Sequence, residues 1–291
     1  MRICIYCLGK KALKALEGVE PPLLASIAMI VIGKDKNVVN DYSGEIQQWA
    51  AKNNIRFSMR DEMAGSTISY DFHIAIGWRW LLPAGSNQQL IVFHDSLLPK
   101  YRGYNPLVTA LINGDTEIGA TCFLANEGID TGDIILQERY TIGYPIKISG
   151  AIDIMAGLYA AMLNRLLTVL NKNTVIKGIS QDEANASYSL WRDEADYRIN
   201  WHDSAVSVKR FVDATGYPYK GAFFYHNNEK IRVSEVTVLP ELTISNRAPG
   251  KVFSIADGLP TVVCGEGLLR LDKMTYESGN IFRIQHLRTR L

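Results

Sequence analysis

The chain has 291 residues, 47% of them hydrophobic and 21% charged, with a formal net charge of +1 at pH 7. That length allows two compact domains with a sizeable core, and the composition is that of an ordinary globular protein. A balance this close to neutrality provides no global field for nucleic acid or an anionic membrane, and Arg283, Arg288 and Arg290 near the end read as a solvated stretch.

Met1-Arg2 leads straight into Ile3-Cys4-Ile5-Tyr6-Cys7, an apolar run too short for the core of a signal peptide. The run from Ala25 to Gly33 is too short to cross a bilayer. A cytoplasmic protein without a membrane partner is the expectation. Residues 2–7 read as a buried strand, followed by a helix over 12–16. Residues 26–32 read as a second apolar strand and residues 43–53 as a helix. Short strands are expected at 55–57, 72–76 and 89–93, and another at 119–124. Continuous apolar strands alternating with helices predict a mostly parallel sheet covered on both faces. Asn105-Pro106 is a reasonable start for a helix reaching Asn113-Gly114, and a long helix is expected over roughly 148–170.

The character changes at Asn171-Lys172-Asn173. Residues 205–213 read as a short helix. Residues 222–225 and 230–233 then form a hairpin around an Asn227-Asn228 turn. Short strands follow at 236–239, 250–254, 261–264 and 268–271, a pattern of a small barrel or open sheet. The expected organisation is residues 1–180, a linker over 181–204, and a β-rich domain over 205–291.

Four cysteines, Cys4, Cys7, Cys122 and Cys264, do not make a disulfide framework in a chain of this size. Cys4 and Cys7 lie three apart on a strand and so point to opposite faces; buried thiols are expected rather than a shared ligand pair. His73, His202, His226 and His286 are scattered, and no metal site is expected.

The most informative stretch is His94-Asp95-Ser96-Leu97-Leu98-Pro99-Lys100-Tyr101-Arg102-Gly103, followed by Gly128-Ile129-Asp130-Thr131-Gly132-Asp133. It sets an imidazole at the end of an apolar strand and a carboxylate in a Gly-bracketed turn after another strand. Residues at the carboxyl ends of strands face the crevice where ligands bind in an α/β sheet, so His94 and Asp130 form a candidate acid/base pair.

The order His94-x-Ser96-Leu97-Leu98-Pro99, Gly103, Gly114-Asp115 and Asp130-Thr131-Gly132-Asp133 resembles the formyltransferases that use 10-formyl-tetrahydrofolate, most of all the sugar N-formyltransferases. The segments Trp191 to Trp201, Tyr217 to Ala222, Pro249 to Val252 and Cys264 to Gly267 resemble that family's C-terminal domain. The resemblance implies a Rossmann-like domain followed by an OB-like β domain. It also implies transfer of a formyl group to a primary amine, with His94 donating to an oxyanion or shuttling a proton and Asp130 holding the imidazole. The pterin would sit on Gly77, Trp78, Trp80, Leu82, Asn126, Gly128 and Ile129. Trp78 and Trp80 are equally explained as packing residues. The family motif reads Asn-x-His-x-x-Leu-Leu-Pro, and Val92 stands where that Asn would be. Valine donates no hydrogen bond, so Asn105 or Tyr104, in the loop that follows, is a candidate substitute donor.

The near-neutral charge favours a nucleotide-linked amino sugar as acceptor, with Lys10, Tyr104 and Asn105 as candidate contacts, and disfavours nucleic acid. A homodimer is compatible with the sequence. A methionyl-tRNA acceptor, a folate-binding protein without efficient transfer, and a hydrolase releasing formate stay open as alternatives.

Overall fold

The computed structural model describes residues 1–62, 69–80, 82, 90–172 and 176–291. Leu81, Gln89, Asn173 and residues 174–175, on which parts of the sequence reading fall, lie outside the described residues. The first sheet contains β1 (Ile3–Cys7), β2 (Ile27–Ile32), β3 (Phe57–Met59), β4 (Phe72–Ile76) and β5 (Leu90–His94). A short β6 (Arg102–Gly103) leaves it, and β7 (Glu117–Leu124) and β8 (Ile134–Thr141) complete it. The order is β3-β2-β1-β4-β5-β7-β8. β1 to β5 pair in parallel, whereas β7 is antiparallel to both β5 and β8. β1 is buried at every position, as a strand flanked on both sides by β2 and β4 in a covered sheet must be.

The helices are α1 (Gly9–Glu17), α2 (Ser43–Lys52), α3 (Pro106–Asn113) and α4 (Ile148–Asn171). α4 passes the length and composition test for a membrane span, which the sequence reading overlooked. Its apolar row Ile148, Ala151, Met155, Tyr159, Met162, Leu163, Leu166 and Leu170 is buried, and the Tyr159 ring meets Phe93 of β5 at 5.2 Å. A period near 3.6 with one face on the sheet is the pattern of a core helix. β8 escaped the sequence reading because it ends the order of the sheet: Gln137, Glu138 and Arg139 leave little apolar signal on a strand that faces solvent on one side.

By its contacts the chain divides into two units. One holds residues 1–107, 116–142 and 150–190; the other holds residues 108–115, 143–149 and 191–291. β9 (Tyr188–Ser189) pairs with β6 inside the first unit. The second contains α5 (Ala205–Thr215), β10 (Ala222–His226), β11 (Glu229–Leu239), β12 (Val252–Ala256), β13 (Leu259–Val263) and β14 (Leu268–Tyr276). Its antiparallel sheet runs β10-β11-β14-β13-β12. Trp201, Val208, Val212, Phe224, Val233, Leu269 and Phe282 belong to its core. The hairpin turn is as expected: Asn227 and Asn228 take φ of 50° and 65°, the left-handed pair that a two-residue hairpin loop demands. The strands expected at 230–233 and 236–239 are one strand, β11, with register shifts between Val233 and Val236; such bulges break the alternation that would have shown the continuity.

The four cysteines are buried and free. Cys4 packs with Tyr6 and Val31, on the opposite face from Cys7, and burial pushes its thiol up to about 12.

Candidate active site

His94 is the last residue of β5. The register sets Val92 beside Ala75 on one side and Phe123 on the other, and His94 beside Thr121. Alternation gives Leu90, Val92 and His94 one face, and Phe93 and Asp95 the other. His94 is 8% exposed. Its Nε2 lies 2.8 Å from the Tyr101 carbonyl oxygen. A carbonyl only accepts, so Nε2 carries the hydrogen in this bond. Nδ1 then faces Asp130 Oδ2 at 3.6 Å, and the same oxygen accepts the Gly103 N–H at 2.7 Å.

The loop between β5 and β6 is fixed by Thr121 and Gln137. Thr121 donates to the Ser96 carbonyl at 2.7 Å and accepts from the Leu98 N–H at 3.1 Å. Gln137 donates to Thr121 Oγ1 at 2.8 Å and to the Leu98 carbonyl at 2.9 Å. Tyr101, with φ of 59°, then turns the chain so that its carbonyl meets His94. Gly103 follows at φ of 96°, where a Cβ would lie 2.6 Å from the Ser189 oxygen.

The route of Asp130 into the site differs from expectation. Because β7 runs antiparallel to β5, its carboxyl end pairs with Ile91 rather than with His94. Asp130 is therefore not at the carboxyl edge of the sheet by strand direction. The 125–133 turn brings it back to His94. Asn126 Oδ1 caps that turn, accepting from Gly128 N–H at 3.1 Å and from the Thr131 hydroxyl at 2.7 Å. Asp130 sits at φ of 52°, and a Cβ on Gly132 would overlap the Leu124 carbonyl oxygen. The turn thus accepts only glycine at that closing position.

Asp95, on the opposite face from His94, forms a second polar group with no role in the sequence reading. Its carboxylate pairs with the Lys11 ammonium of α1 and accepts from the Tyr159 hydroxyl of α4. Burial alone would push this carboxyl up; the Lys11 charge and the two hydrogen bonds outweigh that and hold it below the ordinary carboxylate range. Burial and the facing Asp95 charge push the Tyr159 hydroxyl well up.

Of the residues singled out from sequence, the structure brings His94 and Asp130 together; Asn126, Gly128 and Ile129 lie in the turn that carries Asp130, and Tyr104 and Asn105 directly follow Gly103, whose N–H meets the Asp130 carboxylate. Gly77, at φ of 65°, directly follows Ile76, whose register partner is Phe93, so it lies level with His94. Trp78 and Trp80 meet each other at 4.9 Å, and Trp78 meets Tyr6 at 5.2 Å; Leu82 packs on the same Cys4, Tyr6 and Val31 cluster. Arg60 stacks over Trp80 at 4.6 Å. Both tryptophans therefore have packing partners. Trp78 Nε1 is nevertheless buried with no hydrogen-bond partner among the described residues. Lys10 stands apart: its ammonium pairs with Asp153 of α4. Lys11, its neighbour, is the lysine coupled to the His94 segment. Among the described residues no group of three or more His, Cys, Asp or Glu side chains is arranged to hold a metal.

Ile129, 64% exposed in the turn that carries Asp130, offers an apolar surface of the kind that a flat folate ring covers.

Residues 27–145 match the formyl transferase family model, and residues 192–290 match the model of the formyl transferase C-terminal domain. The methionyl-tRNA formyltransferase of Coxiella burnetii is 30% identical over 225 residues, covering 75% of this chain and 70% of that protein. The methionyl-tRNA formyltransferase of Acetivibrio thermocellus is 33% identical over 193 residues, covering 66% of this chain; the match spans 61% of that relative's length. In fold, the chain is similar to an N-formyltransferase from Helicobacter canadensis in complex with folinic acid and dTDP-3-aminofucose. That similarity has a TM-score of 0.69 at 17% identity, covering 93% of this chain and 98% of that one. The chain belongs to the formyl transferase family.

Proposed function

We propose that this protein transfers a formyl group from 10-formyl-tetrahydrofolate to the primary amine of a nucleotide-linked amino sugar, in the cytoplasm. The observation that carries the reading is the His94–Asp130 pair. With Nε2–H committed to the Tyr101 carbonyl, Nδ1 faces Asp130 Oδ2 across 3.6 Å, a slot between two acceptors with room for one proton. An attacking amine loses a proton as its nitrogen bonds to the formyl carbon, and that slot receives it. The folate, when bound, supplies the activated formyl group and carries the proton away on the nitrogen from which the formyl carbon departs.

The developing oxyanion needs a donor that Val92 cannot supply. Asn105 is half-buried, sits at φ of 50° two residues beyond Gly103, and makes no side-chain hydrogen bond among the described residues. We assign its amide to that role. Glycine removes the amide and tolerates the left-handed backbone, so Asn105→Gly isolates the donor. It is expected to lower kcat by about 10²-fold, and adding Val92→Asn is expected to restore part of it. An unchanged kcat in Asn105→Gly would remove Asn105 from the mechanism.

Two features support the sugar over a tRNA acceptor. The fold likeness to the sugar-bound enzyme extends over almost the whole of both chains, and the net charge is only +1. Binding a tRNA through phosphate neutralisation would make turnover fall steeply with salt. Turnover compared on dTDP-linked 3-amino and 4-amino sugars and on methionyl-tRNA, at two salt concentrations, tests the choice. Salt-insensitive turnover on a sugar supports the reading; turnover confined to methionyl-tRNA overturns it.

A further inference from the structure

We propose that Gln181 is a positioning residue that sets the Asp130 carboxylate against His94, acting from a segment that follows α4. The inference rests on the assignment of Asp130 to formyl transfer made above. Asp130 occupies the left-handed region at φ of 52°, a conformation that costs any residue with a Cβ, though aspartate less than most. Its carboxylate is fixed by the Gly103 N–H. Its backbone is fixed by Gln181, whose Nε2 donates to the Asp130 carbonyl at 2.8 Å and to the Gly132 carbonyl at 2.7 Å. The two carbonyls bracket Thr131, so one amide group clamps the turn from both sides.

The orientation of that amide is dictated by chemistry. Gln181 Oε1 accepts from Arg102 Nε at 3.1 Å and from Nη2 at 2.9 Å. A flipped amide would set NH₂ against a guanidinium and oxygen against two carbonyls, which the donor inventory forbids. Arg102 is 0% exposed and is itself held by both oxygens of Glu183, at 2.8 and 2.7 Å. The Glu183 hydrogen bond pushes the guanidinium further toward its charged form.

Arg102 and Gly103 together form β6. The Arg102 N–H donates to the Ser187 carbonyl at 2.8 Å and the Tyr104 N–H to the Ser189 carbonyl at 2.9 Å. The strand that supplies the N–H on the Asp130 carboxylate is thus the strand whose arginine orients Gln181. Both grips on Asp130, on its carboxylate and on its carbonyl, are referred to one short ladder. A displacement of Asp130 by about 1 Å is enough to cost up to 10²-fold in rate, which gives the clamp a chemical consequence.

The test is Gln181→Glu, which keeps acceptors for Arg102 but removes both donors to the turn. Asn164→Ala is the matched control, because the Asn164 amide likewise bridges backbone groups, accepting from the Glu20 N–H and donating to the Gly18 carbonyl. In the full chain, Gln181→Glu is expected to lower kcat by at least about tenfold with KM for donor and acceptor unchanged, while Asn164→Ala keeps kcat at an equal or larger loss of Tm. Hydrogen exchange of the Gly103 amide reads the Asp130 contact without any turnover; in Gln181→Glu it is expected to speed up by about tenfold or more. A wild-type Gly103 exchange rate in Gln181→Glu overturns the inference. So does a kcat loss in Asn164→Ala equal to that in Gln181→Glu. Absence of formyl transfer by the wild-type protein would instead defeat the proposed function and leave the exchange result to decide the clamp.

Discussion

Asp130→Asn is expected to lower kcat by about 10²–10⁴-fold with little change in Tm. The amide oxygen of asparagine still accepts the Gly103 N–H, so the turn held by Asn126 and Gln181 stays in place. What disappears is the negative charge facing His94 Nδ1, and with it the proton slot. His94→Ala removes the other wall of the slot and is expected to act as strongly. The double variant should be scarcely worse than either single one, because residues that act as a unit are not additive. Steady-state kinetics on the three variants checks this. A kcat within a few fold of wild type in either single variant contradicts the assigned roles.

The second large effect is on stability. Asp95→Asn leaves the Lys11 side chain, 17% exposed, without its counter-charge where α1 meets the end of β5. Removing one partner of such a pair costs about 3 kcal/mol, which for a unit of this size corresponds to a fall in Tm of roughly 6–12 °C. The pH dependence follows from the lowered Asp95 carboxyl. A carboxyl held below its unfolded value adds stability above the ordinary carboxylate range, near pH 4, and loses it as pH falls through the folded value. The gap in Tm between wild type and Asp95→Asn should therefore be full at pH 7 and narrow below about pH 4. Replacing both partners with apolar residues, as in Lys11→Met with Asp95→Leu, should recover most of the loss. A wild-type Tm for Asp95→Asn at pH 7 would show that the pair contributes nothing.

The two polar groups on either side of β5 differ in how far they could be read from sequence. His94 and Asp130 were legible because each sits in a short run whose glycines and proline announce a loop after an apolar strand. Lys11, Asp95 and Tyr159 were not, because their contacts span 84 and 64 positions and no local pattern marks them. Lys10 and Lys11 look alike in sequence; the helical turn of α1 sends one to Asp153 and the other to Asp95. Gln181 lies 51 positions from Asp130, in a stretch that sequence alone reads as a linker. The parallel strands β1 to β5 were visible as apolar runs. The reversal of β7 was not, since an apolar strand such as Glu117–Leu124, buried over most of its length, looks the same in either direction. That reversal is what moves Asp130 from the edge of the sheet to a turn folded back on His94.

The pairing of Asp130 with His94 through a returning turn, and its use in moving a formyl group to an amine, is the core of the account. A single turnover of the protein with isotopically labelled 10-formyl-tetrahydrofolate and a nucleotide-linked amino sugar, read by mass spectrometry, tests it most directly. The account predicts one labelled formyl group on the sugar amine in wild type and none on the same timescale in Asp130→Asn. Label recovered only as free formate, or left entirely on the folate, would contradict it.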